Sequence, residues 1–113
     1  MANMCYNRVE ILGTPEEIKA VFDCIDNLTV WVTKFEAGSP DCGEDYIFFE
    51  TRWSPVFDGT KELSLQFPNL TFVHKYEERN SYFSGSAIYK AGKVVKAKEG
   101  DYGKYPLEGK ISV

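Results

Sequence analysis

Histidine and cysteine are scarce in this 113-residue chain, and the chemistry that depends on them is short of ligands. There is one histidine, His74, and three cysteines, Cys5, Cys24 and Cys42, widely separated and without a CxxC pair. Zinc-type spacing is absent, so no metal is expected. An odd number of dispersed cysteines reads as free thiols in a reducing compartment. A cysteine with His74 could supply a nucleophile and a base, but no motif joins them, and a single histidine in a strand pattern reads as structural. The glycines form no phosphate-cradling pattern. The chain therefore reads as non-enzymatic, with no catalytic residue and no cofactor. Positive charge is also short. Lys and Arg number 13 against 17 Asp and Glu, a net charge of −4, which lacks the basic footprint of phosphate binders. The one basic cluster, Lys90 and Lys93 with Val94-Val95-Lys96-Ala97-Lys98, reads as an edge strand protected by lysines. Long apolar runs are missing too. The N-terminus, MANMCYNRVEILG, is neither a signal peptide nor a membrane span, which places the protein in the cytoplasm, away from membranes.

What is present suits one folded domain. Hydrophobic residues make up 43% and charged residues 27%, enough apolar material for a core without metals or disulfides. Residues Asn3 to Gly13 alternate as a strand, with Cys5, Val9 and Ile11 on one side and Tyr6, Arg8, Glu10 and Leu12 on the other. Thr14-Pro15-Glu16-Glu17 follows, with an N-cap, a proline at the first helical position and a capping-box glutamate. Ile18, Val21, Phe22 and Ile25 recur at helical spacing, so a helix is expected over Pro15 to Ile25. Leu28 to Glu36 reads as a second strand, Ala37 to Glu44 as a loop and Asp45 to Trp53 as a third strand. Ser54-Pro55 repeats the cap-and-proline device before a second helix, about Pro55 to Phe67, stopped by Pro68-Asn69. Gly59 weakens that helix by roughly 1 kcal/mol, so its first turn can stand apart. Leu70 to Glu77 and Tyr82 to Lys90 form a hairpin across a polar turn, and Lys93 to Lys98 adds a short sixth strand. Residues 1–98 thus make the domain, and residues 99–113 are expected as an irregular tail.

The chain also repeats itself. Asn27-Leu28-Thr29 recurs as Asn69-Leu70-Thr71, Lys34-Phe35-Glu36 as Lys75-Tyr76-Glu77, and Thr14-Pro15 as Ser54-Pro55. Each unit runs strand, capped helix, Asn-Leu-Thr strand. Two such units interleaved give an α+β, ferredoxin-like split βαβ sandwich, with two helices on one face of an antiparallel sheet. The expected strand order is 4-1-3-2, extended by a C-terminal hairpin strand beside the fourth. Aligning the repeats sets Val9, Ile11 and Gly13 level with Phe49, Thr51 and Trp53 under the helices. Arg8, Glu10 and Leu12 fall level with Phe48, Glu50 and Arg52 on an open face that also carries Tyr6 and Tyr46.

Met1-Ala2-Asn3-Met4-Cys5-Tyr6-Asn7-Arg8 and Phe49-Glu50-Thr51-Arg52-Trp53-Ser54-Pro55 carry a family likeness, as do Leu63-Ser64, Phe67-Pro68-Asn69-Leu70, Phe72, Tyr76-Glu77-Glu78 and Phe83-Ser84-Gly85. With these residues the chain resembles the YubB ferredoxin-like domain family of phages, plasmids and related mobile elements. The resemblance spans about Met1 to Gly92. It implies a ferredoxin-like fold and no established activity. The chain departs from that family in having Met4 where tryptophan is usual, and a shorter region between strands 2 and 3 with Trp31 alone.

Two candidate clusters are set aside as structural. Trp53-Ser54-Pro55 reads as a strand end and a helix cap. Tyr76-Glu77-Glu78 with Tyr82-Phe83 reads as a solvated turn whose carboxylates stay ionised. The open face, with Tyr6, Arg8, Tyr46, Phe48, Glu50 and Arg52, is the candidate binding site. Sheet aromatics can stack nucleobases, but the RNP1 pattern is absent, and Glu10 and Glu50 would repel phosphate. Aromatics with arginine are enriched at protein interfaces, so an unknown protein partner or a homodimer is expected, with nucleic acid or a nucleotide the lesser reading.

Overall fold

The computed structural model of the protein describes residues 4–26, 41–52, 55–78 and 83–101. Strand β1 (Met4–Leu12) is central and pairs antiparallel with both β3 (Tyr46–Arg52) and β4 (Thr71–Glu78). Strands β5 (Phe83–Lys90) and β6 (Lys93–Asp101) continue the sheet beyond β4, and a two-residue strand β2 (Asp41–Cys42) lies outside β3. The order is β2-β3-β1-β4-β5-β6, all antiparallel. β3 and β4 flank β1 and are joined by a helix, which is the expected split βαβ unit. The expected strand over 28–36 lies outside the described residues. Within the expected loop, Asp41–Cys42 instead pairs with Phe48 and Ile47, and Gly43 N–H donates to Tyr46 O at 2.9 Å to close the hairpin.

Helix α1 (Pro15–Asp26) begins where its sequence says it should. Glu17 N–H donates to Thr14 Oγ1 at 3.2 Å, and Thr14 N–H donates to Glu17 Oε1 at 2.8 Å. These reciprocal bonds satisfy donors that a helix start leaves bare. They also hold the Glu17 carboxyl below its ordinary pKa. Val21 and Ile25 are buried on the sheet, and Ile18 and Phe22 pack beside them.

Helix α2 (Asp58–Gln66) corrects the second capping expectation. It starts three residues after Pro55, with Phe57 at the cap position and no side-chain cap bond. Packing fixes this start instead. The Phe57 ring lies 4.7 Å from His74, 5.7 Å from Tyr76 and 5.9 Å from Tyr89, centroid to centroid. Ser54 and Trp53 lie outside the described residues. Gly59, Thr60, Leu63 and Ser64 form the buried side of α2.

One core joins Val9, Ile11, Ile47, Phe49, Phe72, Ala87 and Tyr89 of the sheet to Val21, Ile25 and Leu63 of the helices. Alternation along β1 and β3 therefore falls as expected. Cys5, Val9, Ile11, Phe49 and Thr51 are buried beneath the helices, while Tyr6, Arg8, Glu10, Tyr46 and Phe48 are half-buried and Glu50 is exposed on the other side. Two further expectations are corrected. β6 continues past the expected strand end at Lys98, through Glu99 and Gly100 to Asp101. Glu77 and Glu78 do not sit in a solvated turn: both belong to β4 and are buried.

Candidate functional site

The antiparallel register assembles the outer face. Tyr6 lies opposite Glu50, Arg8 opposite Phe48 and Glu10 opposite Tyr46. Directly opposed side chains on one face of a sheet sit close enough to interact, and diagonal neighbours are reached by long side chains. Both diagonals are used here. The Tyr6 and Phe48 rings stack at 6.3 Å with 22° between their planes. The Arg8 guanidinium carbon lies 3.8 Å from the Tyr46 ring centroid, a cation–π contact. Five of the six residues expected here are thus gathered in one patch. Arg52 is placed only as the register partner of Met4, at the end of β3.

Sequence reading missed Lys75. It is fully buried on the same face, opposite Arg8, and its ammonium lies 2.9 Å from Glu10 Oε1. Arg8 Nε is 3.5 Å from that same oxygen, is buried and makes no hydrogen bond. Glu10 therefore sits between two cations, and its side chain is only 13% exposed. A buried ammonium needs such pairing, because desolvation of an isolated charge is severe. The consequence for binding is direct. Neither cation is a loose phosphate ligand, and Glu50 stands exposed beside them.

Among the described residues the outer face carries accessible side chains over β1 and β3, and again at the β6 edge, but closes between them. On the same side of β4 and β5, Val73, Lys75, Glu77, Ser84, Ser86 and Ile88 are all buried. All six candidate binding residues belong to β1 and β3.

Beneath the helices runs a buried polar chain. His74 Nε2 lies 2.8 Å from Asn7 Oδ1, and His74 Nδ1 lies 2.7 Å from Thr60 Oγ1. Asn7 Nδ2 donates to Thr51 Oγ1 at 2.9 Å and to Cys5 O at 3.2 Å. Because the Asn7 amide nitrogen is committed as donor, its oxygen accepts from His74 Nε2–H. His74 Nδ1 then accepts from the Thr60 hydroxyl. Burial pushes the His74 pKa down to about 3, so the ring is neutral, with both nitrogens occupied. It stands at the centre of an aromatic cluster, edge-on to Phe49 and Phe57. This is a structural histidine rather than a base with a free nitrogen.

Other reactive groups on this side are quieted in the same way. Burial pushes the Cys5 thiol up to about 12, helped by the charges of Glu78, Glu77 and Glu99 and opposed by a bond to Thr51. Tyr76 donates its hydroxyl to Glu99 Oε2 at 2.7 Å, and burial with that carboxylate raises its pKa. Among the described residues no group of three or more His, Cys, Asp or Glu side chains could hold a metal ion. Two shallow depressions, of about 360 and 210 Å³, flank α1 and lie apart from the outer patch and from His74. Among the described residues no helix is long and apolar enough to cross a membrane.

Comparison with known proteins adds a family. Residues 30–110 match the model described as the ferredoxin-like domain in Api92-like protein. The matched stretch begins after α1 and takes in β2 to β6. No curated protein and no solved structure matches the chain. The sequence resemblance drew on YubB ferredoxin-like domains, whereas the match is to the Api92-like description. The two agree on the fold.

Proposed function

This chain belongs to the family of ferredoxin-like domains in Api92-like proteins, and from that premise we propose that it is a non-enzymatic binding domain. It takes a protein partner, or a second copy of itself, on the β1–β3 half of its outer sheet face. By the resemblance drawn in its sequence, it serves a phage, plasmid or related mobile element as a cytoplasmic accessory protein. The observation that carries the binding role is the make-up of that patch: Tyr6 stacked with Phe48 and Arg8 held against Tyr46, all half-buried and facing out. Rings and guanidinium groups supply large, rigid contact area and dominate the energetics of protein interfaces. A protein is favoured over nucleic acid because Arg8 and Lys75 both turn to Glu10, which leaves Glu50 as the exposed charge among the described side chains of the patch.

Site-specific photocrosslinking in the native host tests the reading. A benzophenone amino acid at Phe48 is expected to crosslink a protein or a second copy of the chain. The same group at Leu65, 52% exposed on α2, is expected to give no matching product. Crosslinking from Leu65 alone contradicts the assignment of the face. Nucleic acid captured from Phe48 in place of protein contradicts the assignment of the partner.

A further inference from the structure

We propose that the β6 edge of the sheet is a second binding site, which takes an extended peptide segment bearing carboxylates on alternate residues as an added strand. The starting point is an irregularity in the β5–β6 pairing. Lys93 lies opposite Lys90, Val94 opposite Tyr89 and Lys96 opposite Ile88, which leaves Val95 without an opposing residue. One extra residue in a strand exchanges the two faces for everything beyond it. Before the bulge Lys93 shares the outer side with Lys90; after it, Lys96 and Lys98 do. Without the bulge Lys93 would point opposite to Lys96 and Lys98. With it, Lys93, Lys96 and Lys98 line one side of the edge strand, with Lys90 of β5 beside Lys93.

These lysines are available. Lys90, Lys93, Lys96 and Lys98 are all exposed, and among the described residues none of them is ion-paired. No Asp or Glu interrupts the run from Lys90 to Lys98, in a chain whose net charge is −4. The edge carries apolar surface as well, with Val94 51% and Val95 66% exposed. Ala97 is exposed too, in a strand that pairs on one side with β5 among the described residues. An edge strand offers main-chain donors and acceptors on alternate residues, which an extended peptide can complete, with alternate side chains read for specificity.

The fold holds this edge in place. Gly92 N–H donates to Ser64 Oγ at 2.9 Å, which fastens the β5–β6 turn to α2, and Tyr76 fastens the far end through Glu99. A strand fixed at both ends loses little freedom on binding. The charge selects the occupant. A second copy of β6 would set the lysine row against its own image. A single-stranded nucleic acid would find no ring on β6 to stack a base, since Lys93–Asp101 contains no aromatic residue. A peptide with acidic residues at every second position fits both the ladder and the lysines.

Fluorescence anisotropy with defined probes tests the site. The probes are a labelled nonapeptide of alternating Glu and Thr, its Lys–Thr counterpart, the Glu–Thr peptide N-methylated at alternate residues, and an oligothymidine. The Glu–Thr peptide is expected to bind at least about tenfold more tightly than the other three. Reversing Lys93, Lys96 and Lys98 to Glu is expected to invert the preference toward the Lys–Thr peptide. A Lys96→Gln/Lys98→Gln variant, which melts with the wild type, is expected to lose affinity for the acidic peptide. Bound peptide is expected to slow hydrogen exchange between Val94 and Glu99. The proposal is overturned if no peptide binds, if N-methylation leaves affinity unchanged, or if the oligothymidine binds more tightly. It is equally overturned if every amide from Val94 to Glu99 is already protected in the peptide-free protein, since the edge would then be occupied. Variants at Phe48 leave this assay unmoved, so its failure and that of the β1–β3 reading are separable.

Discussion

His74 shows how one residue can carry both packing and pH dependence. Its pKa falls from the ordinary 6.5 to about 3 through burial. The unfolded chain takes up a proton near pH 6.5, and the folded chain does so only near pH 3. Stability is therefore present above pH 6.5 and is lost as pH falls through that window, by on the order of 4–5 kcal/mol in all. Urea midpoints measured from pH 7 to pH 4 should fall more steeply in the wild type than in His74→Gln. Equal slopes would show that the ring is not held neutral. The Glu10–Lys75 pair makes a second residue-scale case. Lys75→Met leaves the shielded Glu10 carboxylate with Arg8 and should destabilise the protein by less than the roughly 3–5 kcal/mol of a fully broken buried pair, whereas Lys75→Met with Glu10→Leu should lose less than the two single changes summed. A double-mutant cycle by denaturant unfolding measures the coupling, and purely additive effects would contradict the pairing. The structural part of His74 is legible in the sequence, but its partners and the Lys75–Glu10 pair are not. Lys75 and Glu77 look solvent-directed by type, and the glutamate that satisfies Lys75 is 65 residues away.

At the scale of elements, legibility followed local chemistry. α1 was readable because its cap, proline and apolar stripe all lie within one turn or two. α2 was misread because Ser54-Pro55 copies the same device, while the actual start is set by Phe57 packing on His74, Tyr76 and Tyr89, contacts that only the folded sheet creates. The β6 bulge was likewise invisible, since it depends on register with β5 rather than on composition. The turn between those strands carries a testable strain. Ala91 has φ 52° and Gly92 φ 79°, the left-handed pair of a tight hairpin. A side chain at φ above zero is disfavoured by roughly 1–2 kcal/mol, so Ala91→Gly should stabilise the protein by about 1 kcal/mol once the added freedom of the unfolded chain is subtracted. Gly92→Ala should do the opposite, because its new methyl would meet the Leu65 side chain as well as the positive φ. Thermal melts of the two variants should move in opposite directions, and a shared direction would contradict this account of the turn.

For the molecule as a whole, two interleaved periodicities in the sequence were enough to place β1 at the centre of the sheet between β3 and β4, and to assign the two faces of β1 and β3. They were not enough to show that the outer face closes over β4 and β5, because burial there is a property of the assembled sheet. In the proposed function β3 divides two roles between adjacent residues. Phe49 is 2% exposed and serves the core, while Phe48 is half-buried and serves the patch. The most direct measurement is a paired one, in which Phe49→Ala and Phe48→Ser are compared for melting temperature and for capture of the partner crosslinked from position 48. Phe49→Ala should destabilise the fold by about 3–5 kcal/mol. Phe48→Ser should melt within the range expected of a surface change, roughly 0.5 kcal/mol, and lose the partner. A Phe48→Ser protein that folds and captures its partner as the wild type does would contradict the claim that this face is where the protein acts.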